Sequence, residues 1–253
     1  VSAERGSAAR SSSTSTDSAA AFYDRWSGLY ELVSSHAPGA ARLRARAVDA
    51  LRLERGDTVV EVGCGTGANL PLLAREVGPT GTVIGIDRSR GVLKRARNNT
   101  RAYPQIELLR ADGTELPIRP EDAIDGEDAV DDEGGVDGVL ATFVVGMLDD
   151  PAAAVEDWID HLEPGGHVAL LHLRRSDHAI APIANSVLQA VTVLSTPPTT
   201  RVRYDRNLSR ELDRRVRAAG DVVRSRTDPT VTEAHVFDLV ELVAGRRTAC
   251  DIE

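Results

Sequence analysis

The feature that most constrains this chain is a glycine-rich turn directly after a short β-branched run, Thr58-Val-Val-Glu-Val-Gly-Cys-Gly-Thr-Gly67. Continuous apolar, β-branched residues of this length suit a strand buried on both faces, as in a parallel sheet. Glycines at 63, 65 and 67 let backbone approach a ligand closely, and a helix opening just after them presents free N–H groups. With Ala68 the turn also satisfies the looser dinucleotide pattern G-x-G-x-x-A. The turn alone therefore fits several nucleotide-binding chemistries.

The rest of the chain repeats strand and helix at the rhythm of an α/β fold. A helical pattern spans Ala68 to Val77 and stops at Gly78-Pro79. Thr82 to Asp87 reads as a second strand, Ser89 to Arg101 as a helix capped by Ser89, and Ile106 to Leu109 as a third strand. Val136 to Thr142 is a fourth strand, Pro151 to Leu162 a helix, and His167 to Leu173 a fifth strand. Such alternation implies a mostly parallel sheet covered on both faces. Leu208 to Ala219 forms a helix that Gly220 should stop, and Asp221 to Thr227 looks like a strand. Residues 234–244 fit helix or strand by periodicity alone.

Around this core, residues 1–19 are poor in apolar groups and are expected to be a disordered tail, leaving 20–253 as one domain. Phe22, Trp26, Leu29, Tyr30 and Val33 recur at helical spacing, and Ala40 to Leu53 reads as a second helix with Leu43, Ala47, Val48 and Leu51 inward and arginines outward. Residues 119–135 hold eight acidic side chains and read as a solvated surface insertion.

Composition narrows the setting. The net charge is −9, and 29 of the 30 basic residues are arginine, Lys94 being the exception. An acidic excess argues against a general nucleic-acid binder. Together with the arginine preference it fits a salt-adapted source or a GC-rich genome, and we expect the former. Neither a signal peptide nor a membrane-length apolar run is evident, so the expected location is the cytoplasm. Cys64 and Cys250 suggest neither a disulfide framework nor a metal site.

Three carboxylates select among the chemistries. Glu61 stands two residues before the first glycine, where a pyrophosphate would be repelled but a cationic amino acid group attracted. Asp87 ends the second strand, where it can accept both hydroxyls of a ribose; a nicotinamide enzyme uses an acid there too. Asp112, just past the third strand, is placed to accept from an adenine amino group, or alternatively to cap the local turn through Gly113 and Thr114.

At these residues the chain resembles class I S-adenosylmethionine-dependent methyltransferases. The resemblance rests on five segments in order: Val60 to Gly67, Gly85-Ile-Asp87, Ala111-Asp112 with Leu116-Pro117, and Leu162-Glu-Pro-Gly-Gly166 before a strand, preceded by Tyr23-Asp-Arg-Trp26 with Tyr30-Glu31. It covers roughly residues 20–175 and is nearest to the small-molecule group that includes quinone-biosynthesis and phospholipid N-methyltransferases. It implies a Rossmann-like sheet of seven strands with helices on both faces and the last strand antiparallel, which assigns residues 234–244 to that strand. It implies N-terminal lid helices over 20–53, whose Tyr23 and Tyr30 cover the cofactor. Glu61, Gly63, Cys64, Gly65, Gly67, Asp87, Arg88, Asp112, Gly113, Thr142 and Phe143 would line the S-adenosylmethionine pocket. No Asn-Pro-Pro-Tyr-like tetrapeptide follows the fourth strand, which weakens any link to the amino-methylating nucleic-acid enzymes.

The implied reaction is an in-line displacement requiring nucleophile and methyl carbon at about 3–3.5 Å with water excluded. His172 and His178 are candidate bases, since ligands bind beyond the carboxyl ends of parallel strands. The acceptor is expected to be a small or lipid-like molecule met by the segment 174–206. The competing expectations are a nicotinamide-dependent oxidoreductase and a cofactor-binding regulator without turnover.

Overall fold

A computed structural model describes residues 39–117, 135–177, 181–182, 185–186 and 208–248. The elements, in chain order, are α1 (Ala40–Asp49), β1 (Thr58–Val62), α2 (Leu70–Val77), β2 (Thr82–Asp87), α3 (Arg90–Thr100), β3 (Ile106–Arg110), β4 (Val136–Thr142), α4 (Pro151–Asp160), β5 (Leu162–Leu173), α5 (Leu208–Arg226), β6 (Thr227–His235) and β7 (Val240–Arg247). One seven-stranded sheet has the order β3-β2-β1-β4-β5-β7-β6. The first five strands are mutually parallel. β7 enters reversed between β5 and β6, so the Rossmann-like sheet ends as expected in an antiparallel strand.

Side-chain alternation along the strands divides the core into two layers. Val60, Val62, Val139, Ala141, Val168, Leu170 and Val243 pack with Trp158 of α4 and Val223 of α5. Val59, Leu140, Ala169, Leu171 and Leu242 face the other way, toward Val48 of α1, Leu73 of α2 and Leu93 of α3. Burying both faces is what made these strands read as unbroken apolar runs.

Local signals set most boundaries. The Ser89 hydroxyl accepts from Val92 N at 3.2 Å, and Asp150 accepts from Ala153 N at 3.1 Å with Pro151 next to it. Elsewhere the structure corrects the reading. The α2 helix begins at Leu70 rather than Ala68; Asn69 holds the cap position without a capping bond, its side-chain amide being turned to Glu61 and Thr142. The helix expected to end at Leu162 stops at Asp160, and β5 begins at Leu162 instead of His167. Gly220 does not end α5. The helix continues to Arg226 because Val216, Ala219 and Val223 keep helical spacing and stay buried, which removes the strand expected over 221–227. The strand assigned to 234–244 is two strands separated by a turn at Val236, Phe237 and Asp238, all left-handed.

The acidic segment at 119–135 (apart from Gly135), the helix at 22–33, and Tyr23, Tyr30 and His178 lie outside the described residues. Most of 174–206 does so as well. Among the described residues no helix is long and apolar enough to cross a membrane.

Candidate functional site

The carboxyl edge of β1, β2, β3 and β4 carries those predicted site residues that the structure describes. Glu61 has the parity of Val59, so its side chain enters the layer beneath α1 and α2. Its carboxyl group is almost completely buried. Asn69 Nδ2 donates to Glu61 Oε1 at 2.5 Å and lies 2.9 Å from the Thr142 hydroxyl, tying β1, the glycine turn and β4 together. Burial pushes the Glu61 carboxyl up to about 8, against the pull of Asn69, the positive charge of Arg44 and the Thr142 hydroxyl. Glu61 Oε2 has no hydrogen-bond partner among the described residues. A buried acceptor left open is costly and needs an explanation.

The glycine turn bends over this carboxyl. Cys64 N donates to Ile86 O at 2.9 Å and Gly67 N to Cys64 O at 2.9 Å. Gly63 is left-handed, and a β-carbon there would meet Val144 Cγ2 at 2.6 Å. Val144 reaches that place because Phe143, at the end of β4, is itself left-handed with φ 58°. Such a conformation costs a non-glycine residue roughly 1–3 kcal/mol and concentrates at functional sites. Gly65 differs from Gly63: a β-carbon there would meet nothing closer than Gly63 O at 4.0 Å. The open side of the turn can thus receive a ligand. Cys64 is buried and packs between the turn and the α2–α3 layer, where its thiol is pushed well up by burial.

Asp87 uses both carboxylate oxygens to order the turn. Oδ2 accepts from Gly65 N at 3.1 Å and Oδ1 from Ser89 N at 2.8 Å. Each oxygen retains acceptor capacity for a ligand hydroxyl. Asp112 is exposed and accepts from both Thr114 N and the Thr114 hydroxyl, while Arg88 Nη1 lies 3.6 Å from its carboxylate. The local turn cap and a ligand contact are compatible at this carboxylate. The loop behind it is clamped from the opposite layer: Trp158 Nε1 donates to Gly113 O at 2.7 Å, and Leu116 N donates to Asp157 at 2.9 Å.

His172 is not gathered with these groups. It has the parity of Val168 and Leu170, so it faces the α5 layer, opposite to Glu61. There it is buried, with Nε2 3.2 Å from Glu241 Oε2. Arg174 and Arg224 also pair with Glu241, whose carboxyl is held down to about 2, chiefly by its bond to His172. Asn69, Arg44 and the Asp157–Trp158 clamp were missed in the sequence. Arg44 had a signal: Ala40, Arg44, Ala47, Val48 and Leu51 fall on one inward stripe of α1 and its end, contrary to the expectation of arginines outside.

Among the described residues no group of three or more His, Cys, Asp or Glu can hold a metal. Taken together, the strand order, the glycine turn and the acids at successive strand tips define a Rossmann-like binder of a nucleoside cofactor. More narrowly, the chain belongs to the methyltransferase domain family, whose profile matches residues 35–220. It is 34% identical over 125 residues to the 2-phytyl-1,4-naphtoquinone methyltransferase of Thermosynechococcus vestitus, covering 49% of this chain and 50% of that one. It is 35% identical over 82 residues to the demethylmenaquinone methyltransferase of Bacillus licheniformis, covering 32% and 35%. The chain thus spans at most about half the length of these curated relatives. The fold matches that of a SAM-dependent methyltransferase from Aquifex aeolicus, with TM-score 0.51, 16% identity and coverage of 81% and 89%. An O-methyltransferase family protein from Burkholderia thailandensis gives TM-score 0.60 at 14% identity, covering 93% and 64%.

Proposed function

We propose that this protein transfers a methyl group from S-adenosylmethionine to a small, lipid-like acceptor of the quinone-ring type. The observation that carries the cofactor reading is the buried, open Glu61 Oε2 beside the open flank of Gly65. A pyrophosphate at that place would face a carboxyl group, whereas the ammonium of an amino acid would complete it. The acceptor class comes from the two relatives named for 2-phytyl-1,4-naphtoquinone and for demethylmenaquinone.

When bound, S-adenosylmethionine supplies an electrophilic methyl on a sulfonium. The work of the chain is to hold the two ends of that molecule. Glu61, supported by Asn69 and Thr142, would hold the ammonium, the backbone of Gly63 to Gly67 would offer its open flank to the amino acid part, Asp87 would hold the ribose hydroxyls, and Asp112 would meet the adenine. Val144 fills the space against Gly63, and Phe143, beside it at the end of β4, would help to limit water around the reacting groups. His172 is a structural member of a buried ion cluster on the other side of the sheet, so it is not our choice of base. A cytoplasmic, salt-adapted setting is consistent with the acidic composition.

Calorimetry tests the cofactor half. S-adenosylhomocysteine is expected to bind and NAD to give no heat; the reverse would sink the reading in favour of an oxidoreductase. Methyl-labelled cofactor with a demethylated naphthoquinol then tests turnover. Tight cofactor binding with no label transferred to any quinol, phenol or amine would instead indicate a regulator.

A further inference from the structure

The loop that carries Asp112 is fastened from inside by two successive residues of α4. Trp158 is fully buried and donates its indole N–H to Gly113 O at 2.7 Å. Asp157 Oδ2 accepts from Leu116 N at 2.9 Å, and Leu116 is buried in the same layer as Trp158. Gly113 also lies so close to β1 that a β-carbon there would collide with Val62 Cγ1. Any apolar ring could fill the core at 158, but the indole N–H picks out one carbonyl of the Asp112 loop. The C=O and N–H of a trans peptide point in opposite directions. With its oxygen drawn inward by Trp158, the Gly113–Thr114 peptide turns its N–H toward Asp112, and Thr114 N donates to Asp112 Oδ1 at 3.2 Å. The Thr114 hydroxyl donates to the same oxygen at 3.1 Å. Oδ1 is thus occupied twice, whereas Oδ2 has Arg88 Nη1 only at 3.6 Å, too far for a hydrogen bond.

We propose that Trp158 and Asp157 are positioning residues that aim Asp112 Oδ2 at the base of the cofactor through the Gly113–Thr114 peptide. This rests on the cofactor reading above. An ionised carboxylate accepts hydrogen bonds but cannot donate one. Held in one orientation, Asp112 accepts from the amino group of adenine and repels the carbonyl oxygen of a 6-oxo purine. An exposed aspartate free to swing would turn away from the wrong base into water and discriminate little. The two residues of α4 therefore add selectivity for the base more than affinity, by building in a penalty against the wrong partner.

The experiment compares, by calorimetry, S-adenosylhomocysteine with S-inosylhomocysteine, in which a carbonyl oxygen replaces the amino group of the base. Wild-type protein is expected to prefer the adenosyl ligand by about tenfold, the scale of one hydrogen bond to a charged acceptor. Trp158→Phe keeps an apolar ring and removes the donor. It is expected to reduce the preference to about twofold, the adenosyl ligand weakening by about threefold while the inosyl ligand holds or gains slightly. Asp157→Ala should leave a preference of about fourfold. A merely structural role would lower the melting temperature and weaken both ligands by one factor. An undiminished preference in Trp158→Phe therefore overturns the proposal; if that variant does not fold, the same result in Asp157→Ala does so. Equal binding of the two ligands by wild-type protein overturns it too, while leaving the cofactor reading in place. Binding of neither ligand removes that reading and this inference together, and it is seen before any variant is made.

Discussion

Glu61 and Asp112 are both carboxylates close to the carboxyl edge of the sheet, but the structure gives them opposite surroundings. Glu61 lies under α1 and α2, hydrogen-bonded to Asn69, with its proton held up to about 8. Asp112 is open to solvent, closes a turn onto Thr114 and has Arg88 nearby. Asp87 stands between them, half-buried and fastened to two backbone N–H groups. Affinity for a ligand stretched across the three should therefore concentrate at the buried end, where each interaction works at low effective dielectric. The exposed end contributes placement more than strength.

That contrast can be broken by experiment, beginning where the effect is largest. Glu61→Gln is expected to weaken S-adenosylhomocysteine by about 100-fold, since the ammonium loses a buried ionised partner. Calorimetry within a few-fold of wild type would refute an ammonium contact at this end. The second expectation is a pH dependence. The Glu61 carboxyl titrates near 8 in the empty protein, and an ammonium ligand needs it ionised, so wild-type affinity should rise roughly 50-fold from pH 6 to pH 8 and then level off. Glu61→Gln should lack this rise.

Stability carries the same signature with the opposite sign. Glu61 has a folded pKa above its unfolded value, so between about 4.5 and about 8 the native state binds the extra proton. Stability of the empty wild-type protein must then fall as pH climbs through that window, relative to Glu61→Gln. Parallel melting curves for the two proteins across it would contradict the burial argument. Smaller again, Asp87→Asn is expected to cost about tenfold in affinity by replacing a charged acceptor with a neutral one. Asp112→Ala should change affinity by less than about fivefold, and the loss of its exposed turn should lower stability by no more than about 1 kcal/mol. A larger effect at 112 than at 61 would invert the comparison.

The same contrast explains what could be read from the amino-acid sequence. The glycine turn, Asp87 and Asp112 were legible because each follows its own strand within a few residues, and strand, turn and acid occur together in one short segment. Ser89 and Asp150 were legible as caps for the same reason. Arg44 left only a partial trace: it shares the inward stripe of Ala40, Ala47, Val48 and Leu51, but the several arginines of this helix obscured that one of them points inward. Asn69 was absorbed into the helix pattern. Its role depends on Thr142, which arrives from β4. In the last third, Gly220 carried a local stop signal that the buried stripe of Val216, Ala219 and Val223 overrode. A turn built on left-handed Val236 and Phe237 runs against the preference of both residue types and leaves no trace in composition.

Among the described strands, β7 alone runs against both of its neighbours, β5 and β6. Val240 begins beside Leu173, at the ligand-binding rim, and Arg246 finishes beside His167 on the far side of the sheet. At Arg247 the polypeptide is thus heading away from the glycine turn. For the bench, the exposed Thr248 just past β7 is therefore a good place for a spectroscopic label, since it sits at the sheet edge opposite the glycine turn and leaves the pocket mouth unobstructed for titration.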